Sequence, residues 1–424
     1  MILSLPQPVE YYFHLKPQIR QTAFSVSLLK LMFVTAFLLS LSTSVSAFSS
    51  AEYVEQNDNI DTAEDTARHI DTDTDSALNL RVVKLEQTSP LAQTMEQIDA
   101  ARLILVGESH TRWDHHLIQL EILKHLYQKS AKLAIGVEWF QQPYQKHLDA
   151  YIAGEISEQE MLHQTGYFER WRYDYRLYRP IIQYAHEHKI PVIALNASQE
   201  LSHALSKSGF NDLPAELKEQ LPESYDWSDK EYEQNLRNVF DEHPDYPGEF
   251  EDFLRGQLTW DESMAERSAQ YLDENPETRL LVLAGSGHIM FGSGIPNRIK
   301  RRIDVEQVSI LLSEDLLPVS EDIADFLVLS EQQTLEPVGL IGALLDTEGK
   351  LLVINGFSDD SAVKDAGLEK GAVILSVDNK TVETFADFRF AILGKTPGDS
   401  IELHYLENAE DDSKNRKSVT LELR

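Results

Sequence analysis

Between about residue 85 and residue 312, apolar positions fall into short, nearly unbroken runs separated by stretches with helical spacing. The runs are RLILVGE (102–108), LAIGVEW (133–139), IPVIALNA (190–197), RLLVLAGSGH (279–288) and VEQVSIL (305–311). Strands that are apolar on both faces, alternating with helices, predict a mainly parallel sheet covered on each side, a three-layer α/β/α domain. Two connections, 140–188 and 198–278, exceed what a crossover needs and are rich in Tyr, Trp, Glu and His. They are expected to form a helical cap. ADFLVLS, within 313–335, reads as a last strand before a linker. From 336 to 424 glycines punctuate VGLIGALLD, LLVINGF, AVILSVDN and SIELHYLE, which predicts a small, β-rich second domain.

The first 84 residues follow neither pattern. Lys30, an apolar run from Leu31 to Leu41 and the small-residue site Val45-Ser46-Ala47 read as a signal peptide over 1–47. As a membrane anchor the run falls short of the ~20 residues a spanning helix needs. Residues 48–84 are acidic, Thr-rich and poor in large apolar side chains, the composition of a disordered linker. Asp71, Asp73 and Asp75 lack the glycine and closing glutamate of a calcium loop. Export points to the periplasm.

Composition narrows the function classes. A net charge of −32 over 424 residues argues against nucleic acid as a partner and against docking on anionic lipid. The absence of cysteine removes disulfides, zinc thiolates, cysteine nucleophiles and a lipoprotein anchor together.

The chemistry gathers where the strands stop. In an open parallel sheet, ligands bind beyond the carboxyl ends of the strands. There the first run delivers Glu108 and His110, the second Glu138, the third Asn196 and the fourth His288. Each alone is an ordinary loop residue. Together, two carboxylates at the ends of buried strands need partners, and two imidazoles are at hand. Glu108, His110, Glu138 and His288 can hold a divalent metal, position a water or transfer protons. Trp260 and Asp261, in QLTWDESMA, either open a helix or lean over this rim; the sequence leaves both readings standing. His115 and His116 begin the helix after the first strand; one is expected to face the cleft and the other solvent, with a surface or capping role as the ordinary reading for both.

In GYFERWRYDYRLYRP (166–180), Tyr173, Tyr175 and Tyr178 interleave with Arg170, Arg172, Arg176 and Arg179. Such a stripe is ordinarily cap packing. Beside arginines it also suits a flat, anionic, aromatic ligand, and a porphyrin with two propionates fits that description.

ILVGESHTRWDHHLIQLEIL, IGVEWFQQPYQKHLDAYIAGEIS, YRPIIQYAHEHKIPVIALNAS, QLTWDESMA and LAGSGHIMFGSGIPNRI, in that order, resemble the ChaN family of haem-binding uptake proteins. That family shares a superfamily with the erythromycin-esterase, TraB and Tiki proteins. The resemblance, over about 85–332, implies an α/β domain with a helical cap and a secreted protein of haem or iron acquisition. It also implies that Glu108, His110, Glu138 and His288 occupy the superfamily's shared Glu and His positions, which in hydrolytic relatives activate water or hold a metal. Tyr173, Tyr175, Tyr178, His186 and His188 are the candidates for an axial haem ligand. Relatives that are lipoproteins depart from this cysteine-free chain.

Residues 336–424 resemble a PDZ domain of the bacterial HtrA type. VGLIGALLD resembles its carboxylate-binding loop and following strand, and FSDDSAVKDAGLEKGAVILSVDNKTVETFADFRFAIL the segment that runs through its glycine turns to its peptide-groove helix. A peptide C-terminus would pair with the sheet edge beside Leu340, Ile341, Gly342 and Ala343. The competing reading is a structural or homodimerising module. Two functions therefore stand: a periplasmic haem-binding protein of iron or haem uptake with a PDZ docking module, and a Glu/His hydrolase, metal-dependent or not.

Overall fold

In a computed structural model of the chain, residues 89–242, 248–313, 322–346, 351–408 and 415–424 are described. The expected signal peptide (1–47) and the whole of the acidic linker (48–84) lie outside them.

The amino-terminal domain follows the alternation in the sequence. Its elements are α1 (Leu91–Ile98), β1 (Leu103–Glu108), α2 (Trp113–Lys129), β2 (Leu133–Gln141), α3 (Gln145–Ala153), α4 (Glu158–Thr165), α5 (Tyr167–Arg170) and α6 (Tyr175–His188). Then come β3 (Val192–Asn196), α7 (Gln199–Ser208), α8 (Ala215–Lys218), α9 (Lys230–Asp241), α10 (Phe250–Glu274), β4 (Arg279–Gly285), α11 (Ile295–Arg302), β5 (Gln307–Ser313) and β6 (Phe326–Leu329). The strands form one sheet in the order β3-β2-β4-β1-β5-β6, every pair parallel. All six residues of β1 are buried, as are the first eight of β2, so helices cover both faces.

Two features of this sheet position the site. Strand β4 enters between β1 and β2, and Glu108 lies in register with Gly285, so β4 and β1 end side by side; β2 runs on to Gln141 and carries Glu138 just past its last pair with β4, Val137 with Leu283. The fourth apolar run stops at Gly285, and Ser286–His288 turn into a 3-10 helix that brings His288 back over the sheet edge. Gly107 and Gly285 permit this crowding. A Cβ on Gly107 would stand 2.6 Å from Leu311 Cδ2 and 3.0 Å from the Ser286 backbone.

The second domain is antiparallel. It comprises β7 (Ala343–Asp346), β8 (Leu352–Phe357), α12 (Ala362–Asp365), β9 (Val373–Val377), β10 (Lys380–Thr381), α13 (Phe385–Ala391), β11 (Ser400–Leu406) and β12 (Lys417–Glu422). The sheet runs β12-β11-β9-β8-β7, with β7 at an edge. Its own core is built on Ile354, Val363, Ile374, Val377 and Leu403. Among the described residues, no helix is long and apolar enough to cross a membrane.

Candidate functional site

The structure brings Glu108, His110, Glu138 and His288 together at the carboxyl edge of the sheet, and all four are buried, with exposures of 2, 3, 5 and 7%. They are not a loose cluster but a chain. His110 Nδ1 donates to Glu108 Oε1 at 2.6 Å, and its Nε2 faces Glu138 Oε1 at 4.0 Å. His288 Nε2 faces the same Glu138 oxygen at 3.4 Å, while its Nδ1 donates to Asp261 Oδ1 at 2.6 Å. Glu138 Oε2 accepts the Gly285 N–H at 2.7 Å, and Asp261 Oδ2 accepts the Tyr232 hydroxyl at 2.6 Å. Carboxylate and imidazole thus alternate from Glu108 through His110, Glu138 and His288 to Asp261.

The electrostatics follow from that alternation. Burial alone would lower His110, but the charges of Glu108 and Glu138 outweigh it and raise its pKa. Burial likewise opposes charge on His288, yet Asp261 and Glu138 lift its pKa well above the ordinary histidine value. Burial works against the Glu138 carboxylate too, but the two imidazoles and the Gly285 N–H hold it at about 2. Both imidazoles are therefore biased toward the charged form, and Glu138 is ionised between them.

Some buried polar atoms make no hydrogen bond within the protein: Glu108 Oε2, which faces His116 Nε2 at 4.0 Å, and Ser286 Oγ next to Gly285, as well as Asn196 Oδ1 at the end of β3 and Ser263 Oγ on α10. Each such atom costs about 1–3 kcal/mol unless a guest satisfies it. Oxygens of this kind suit a small polar guest such as water.

Asp261 sits in the middle of the 25-residue helix α10, not at a helix start, and α10 carries it to His288. Trp260 leans the other way, its indole N–H donating to Ser202 Oγ at 2.7 Å and its ring 6.4 Å from His288. The expectation that His115 and His116 lie at a surface or cap is corrected, since both are buried. His116 Nε2 donates to the His110 carbonyl at 3.1 Å. His115 Nδ1 accepts the Ser109 N–H at 3.0 Å, and burial drops its pKa to about 4. The start of α2 is packed against the strand end, which leaves no solvent face for either ring.

The cap residues divide. Trp171 and Tyr173 each place a ring 4.9 Å from His110. Tyr175 and Tyr178 are fully buried, the first donating to Glu158 and the second to the His110 carbonyl, so neither is presented to a surface ligand. The arginines are largely committed: Arg170 to Glu200, Arg176 to Asp174 and Arg179 to Glu158. His186 stacks on Tyr151, and partly exposed His188 stacks on Tyr184. Tyr232 and the Gly285 N–H have no signature in the sequence and were missed. Among the described residues, no three His, Asp or Glu side chains are arranged to hold a metal ion.

In the second domain, Leu340 is exposed, its N–H donating to the Arg424 carbonyl. Ile341 is buried, and its carbonyl accepts from Val363. Gly342 adopts a φ of +71°, where a Cβ would stand 2.5 Å from the Ser361 Cα. Ala343 opens the edge strand β7.

Fold and site define a capped α/β domain with a buried carboxylate–imidazole chain, joined to a small β domain with a glycine loop at its sheet edge. Residues 94–299 match the family of haem-binding uptake proteins, Tiki superfamily, ChaN, and residues 339–420 match the PDZ domain; the chain is a ChaN-like domain followed by a PDZ domain. No curated protein matches it. Among solved structures, it is similar to ChaN of Campylobacter jejuni, described by its cofacial heme binding, at 19% identity, covering 56% of this chain and 91% of that one with a TM-score of 0.46. It is also similar to the peptide-bound PDZ domain of the carboxy-terminal protease of Vibrio cholerae, at 18% identity over 20% of this chain and 93% of that one, TM-score 0.18. The type III effector HopBA1 is similar at 12% identity over 58% and 95% of the two chains, TM-score 0.33.

Proposed function

We propose that the chain is a periplasmic haem-binding protein of iron or haem uptake whose PDZ domain docks the carboxyl terminus of a partner protein. The match of residues 94–299 to a haem-binding uptake family carries this reading. The leader over 1–47 supports export. The open edge β7 and the Gly342 turn support peptide docking, by strand addition and by loop N–H groups that meet a carboxylate.

The buried chain itself does not fit a porphyrin. His110 and His288 turn both ring nitrogens toward carboxylates, so neither offers one to iron. Haem would be held from the cap surface, where Tyr173 and His188 are partly exposed. Titration of the purified protein with haem should give a saturable Soret shift. The absence of a shift at about micromolar haem would remove the reading.

A second reading has its own observation. A buried alternation of carboxylate and imidazole, edged by unpaired oxygens, suits acid–base activation of water in an ester or peptide hydrolase. Glu138→Gln should then abolish turnover while the fold survives; unchanged turnover would dismiss it.

A further inference from the structure

His110 is buried beneath the turn between α5 and α6. Trp171 and Tyr173 lay their rings on it from either side of Arg172, whose side chain is exposed. Arg172 has a φ of +70°, a left-handed conformation that a non-glycine residue adopts at a cost. That backbone twist is what drops two successive aromatic rings onto one imidazole.

The PDZ domain holds this turn from both ends. Helix α13 is apolar nearly all round and serves two cores. Phe388, Ala391 and Ile392 close the PDZ core, while Ala386, Phe390 and Leu393 pack into the core of the ChaN-like domain. Before the turn, the Arg389 guanidinium lies 5.7 Å from the Phe168 ring centre, and Gln159 donates to Asp387 at 2.9 Å. After the turn, Arg176, ion-paired with Asp174, donates to the Glu336 carbonyl at 2.9 Å. The helix that corresponds by resemblance to the groove helix of a PDZ domain is therefore the helix that packs on α4 and α5.

We propose that Trp171-Arg172-Tyr173 is a lid over the buried carboxylate–imidazole site and that the PDZ domain is its latch. With α13 seated on α4 and α5, the lid is shut. A protein terminus entering between β7 and α13 competes for the position of α13 and biases the lid toward opening, by as much as its affinities for the two states differ. The inference rests on the reading of the Glu/His chain as the working site, but its test needs neither haem nor turnover.

The test uses the full chain in three forms. In Arg389→Ala the latch is weakened. In Gln159→Cys with Asp387→Cys, bridged by a short bismaleimide, it is locked; the chain has no other cysteine to interfere. Amide exchange of residues 167–178 and modification of His110 by diethyl pyrocarbonate, read by mass spectrometry, report the lid. Both should rise about fivefold or more in Arg389→Ala and fall below wild type in the bridged form. Equal rates in wild type and in the bridged protein would overturn the latch, and they decide the question even where Arg389→Ala fails to fold. A haem titration that fails while these rates move would leave the lid intact and remove only the ligand.

Discussion

His288 and Asp261, 27 residues apart in the chain, meet at 2.6 Å beneath the surface, imidazole N–H to carboxylate. Asp261 is fixed from behind by the Tyr232 hydroxyl, so the aspartate both orients His288 and keeps it charged. Asp261→Asn preserves the shape and removes the charge. The His288 pKa should fall, visible as an earlier imidazole titration by NMR, and stability should drop by about 3 kcal/mol, since a buried ion loses its partner. An unshifted His288 would mean that Glu138 alone sets its charge.

The same chain dictates how stability varies with pH. His110 and His288 have folded pKa values above the unfolded value of 6.5. Their contribution is complete below that value and is lost as pH rises through the folded pKa. Glu138, held at about 2 against 4.5 unfolded, contributes above 4.5 and loses it as pH falls toward 2. His115, lowered to about 4, stabilises as the neutral ring and loses its contribution between 6.5 and 4. Urea midpoints measured across pH should therefore decline on both sides of the mildly acidic to neutral range. Replacing Glu138 with Gln should flatten the steepest part of the acid limb; an acid limb of unchanged slope would place the titrating group elsewhere.

The parallel sheet and the four strand-end residues were legible because they depend on local pattern: apolar runs that stop at Glu, His or Gly. What the sequence hid depends on a second surface. Asp261 could be read as a helix start or as a residue over the rim because Trp-Asp-Glu interrupts an apolar face; α10 runs on from Phe250 to Glu274, and the interruption points at His288. His115 and His116 looked like solvent-facing residues because nothing local shows that the start of α2 is pressed against β1. The arginines of 170–179 looked available for a ligand because Glu158 and Glu200, which neutralise two of them, are remote in sequence. A signal for the shared helix was present in FADFRFAIL. Apart from Asp387 and Arg389 its positions are apolar, and a helix apolar on more than one face must be covered on more than one face, which one PDZ core does not do.

Gly285 brings the backbone close to two side chains of the site. A Cβ there would lie 3.1 Å from His110 Cε1 and 3.6 Å from Glu138 Oε2. Gly285→Ala should wedge His110 away from Glu138. Expected are a loss of about 1–3 kcal/mol in urea unfolding, as for other overpacked cores, and a lower His110 pKa as the Glu138 charge recedes. A variant as stable as the parent, with His110 titrating unchanged, would mean that the ring and carboxylate yield without cost.

The edge of the second domain gives the last expectation. Gly342 combines a φ of +71° with a Cβ direction blocked by the Ser361 Cα at 2.5 Å and the Asp360 carbonyl at 2.7 Å. Both obstacles are backbone, so neither can swing aside. Its carbonyl is also bonded to the Ser358 N–H, which fixes the turn from Ile341 into β7. Gly342→Ala must rotate the turn, and the start of β7 must shift with it. Leu344, 61% exposed on the same strand, keeps its backbone geometry when shortened, so Leu344→Ala is the matched control. In a screen of immobilised peptides with free carboxyl termini, the parent and Leu344→Ala should retain the same ligands. Gly342→Ala should lose them by about tenfold or more, the loss expected when carboxylate hydrogen bonds are misaligned. Amidated peptides should bind none of the three. Binding that survives both the amide and Gly342→Ala would show that the edge is read without its carboxylate loop, and that the domain serves the ChaN-like fold as structure rather than as a peptide reader.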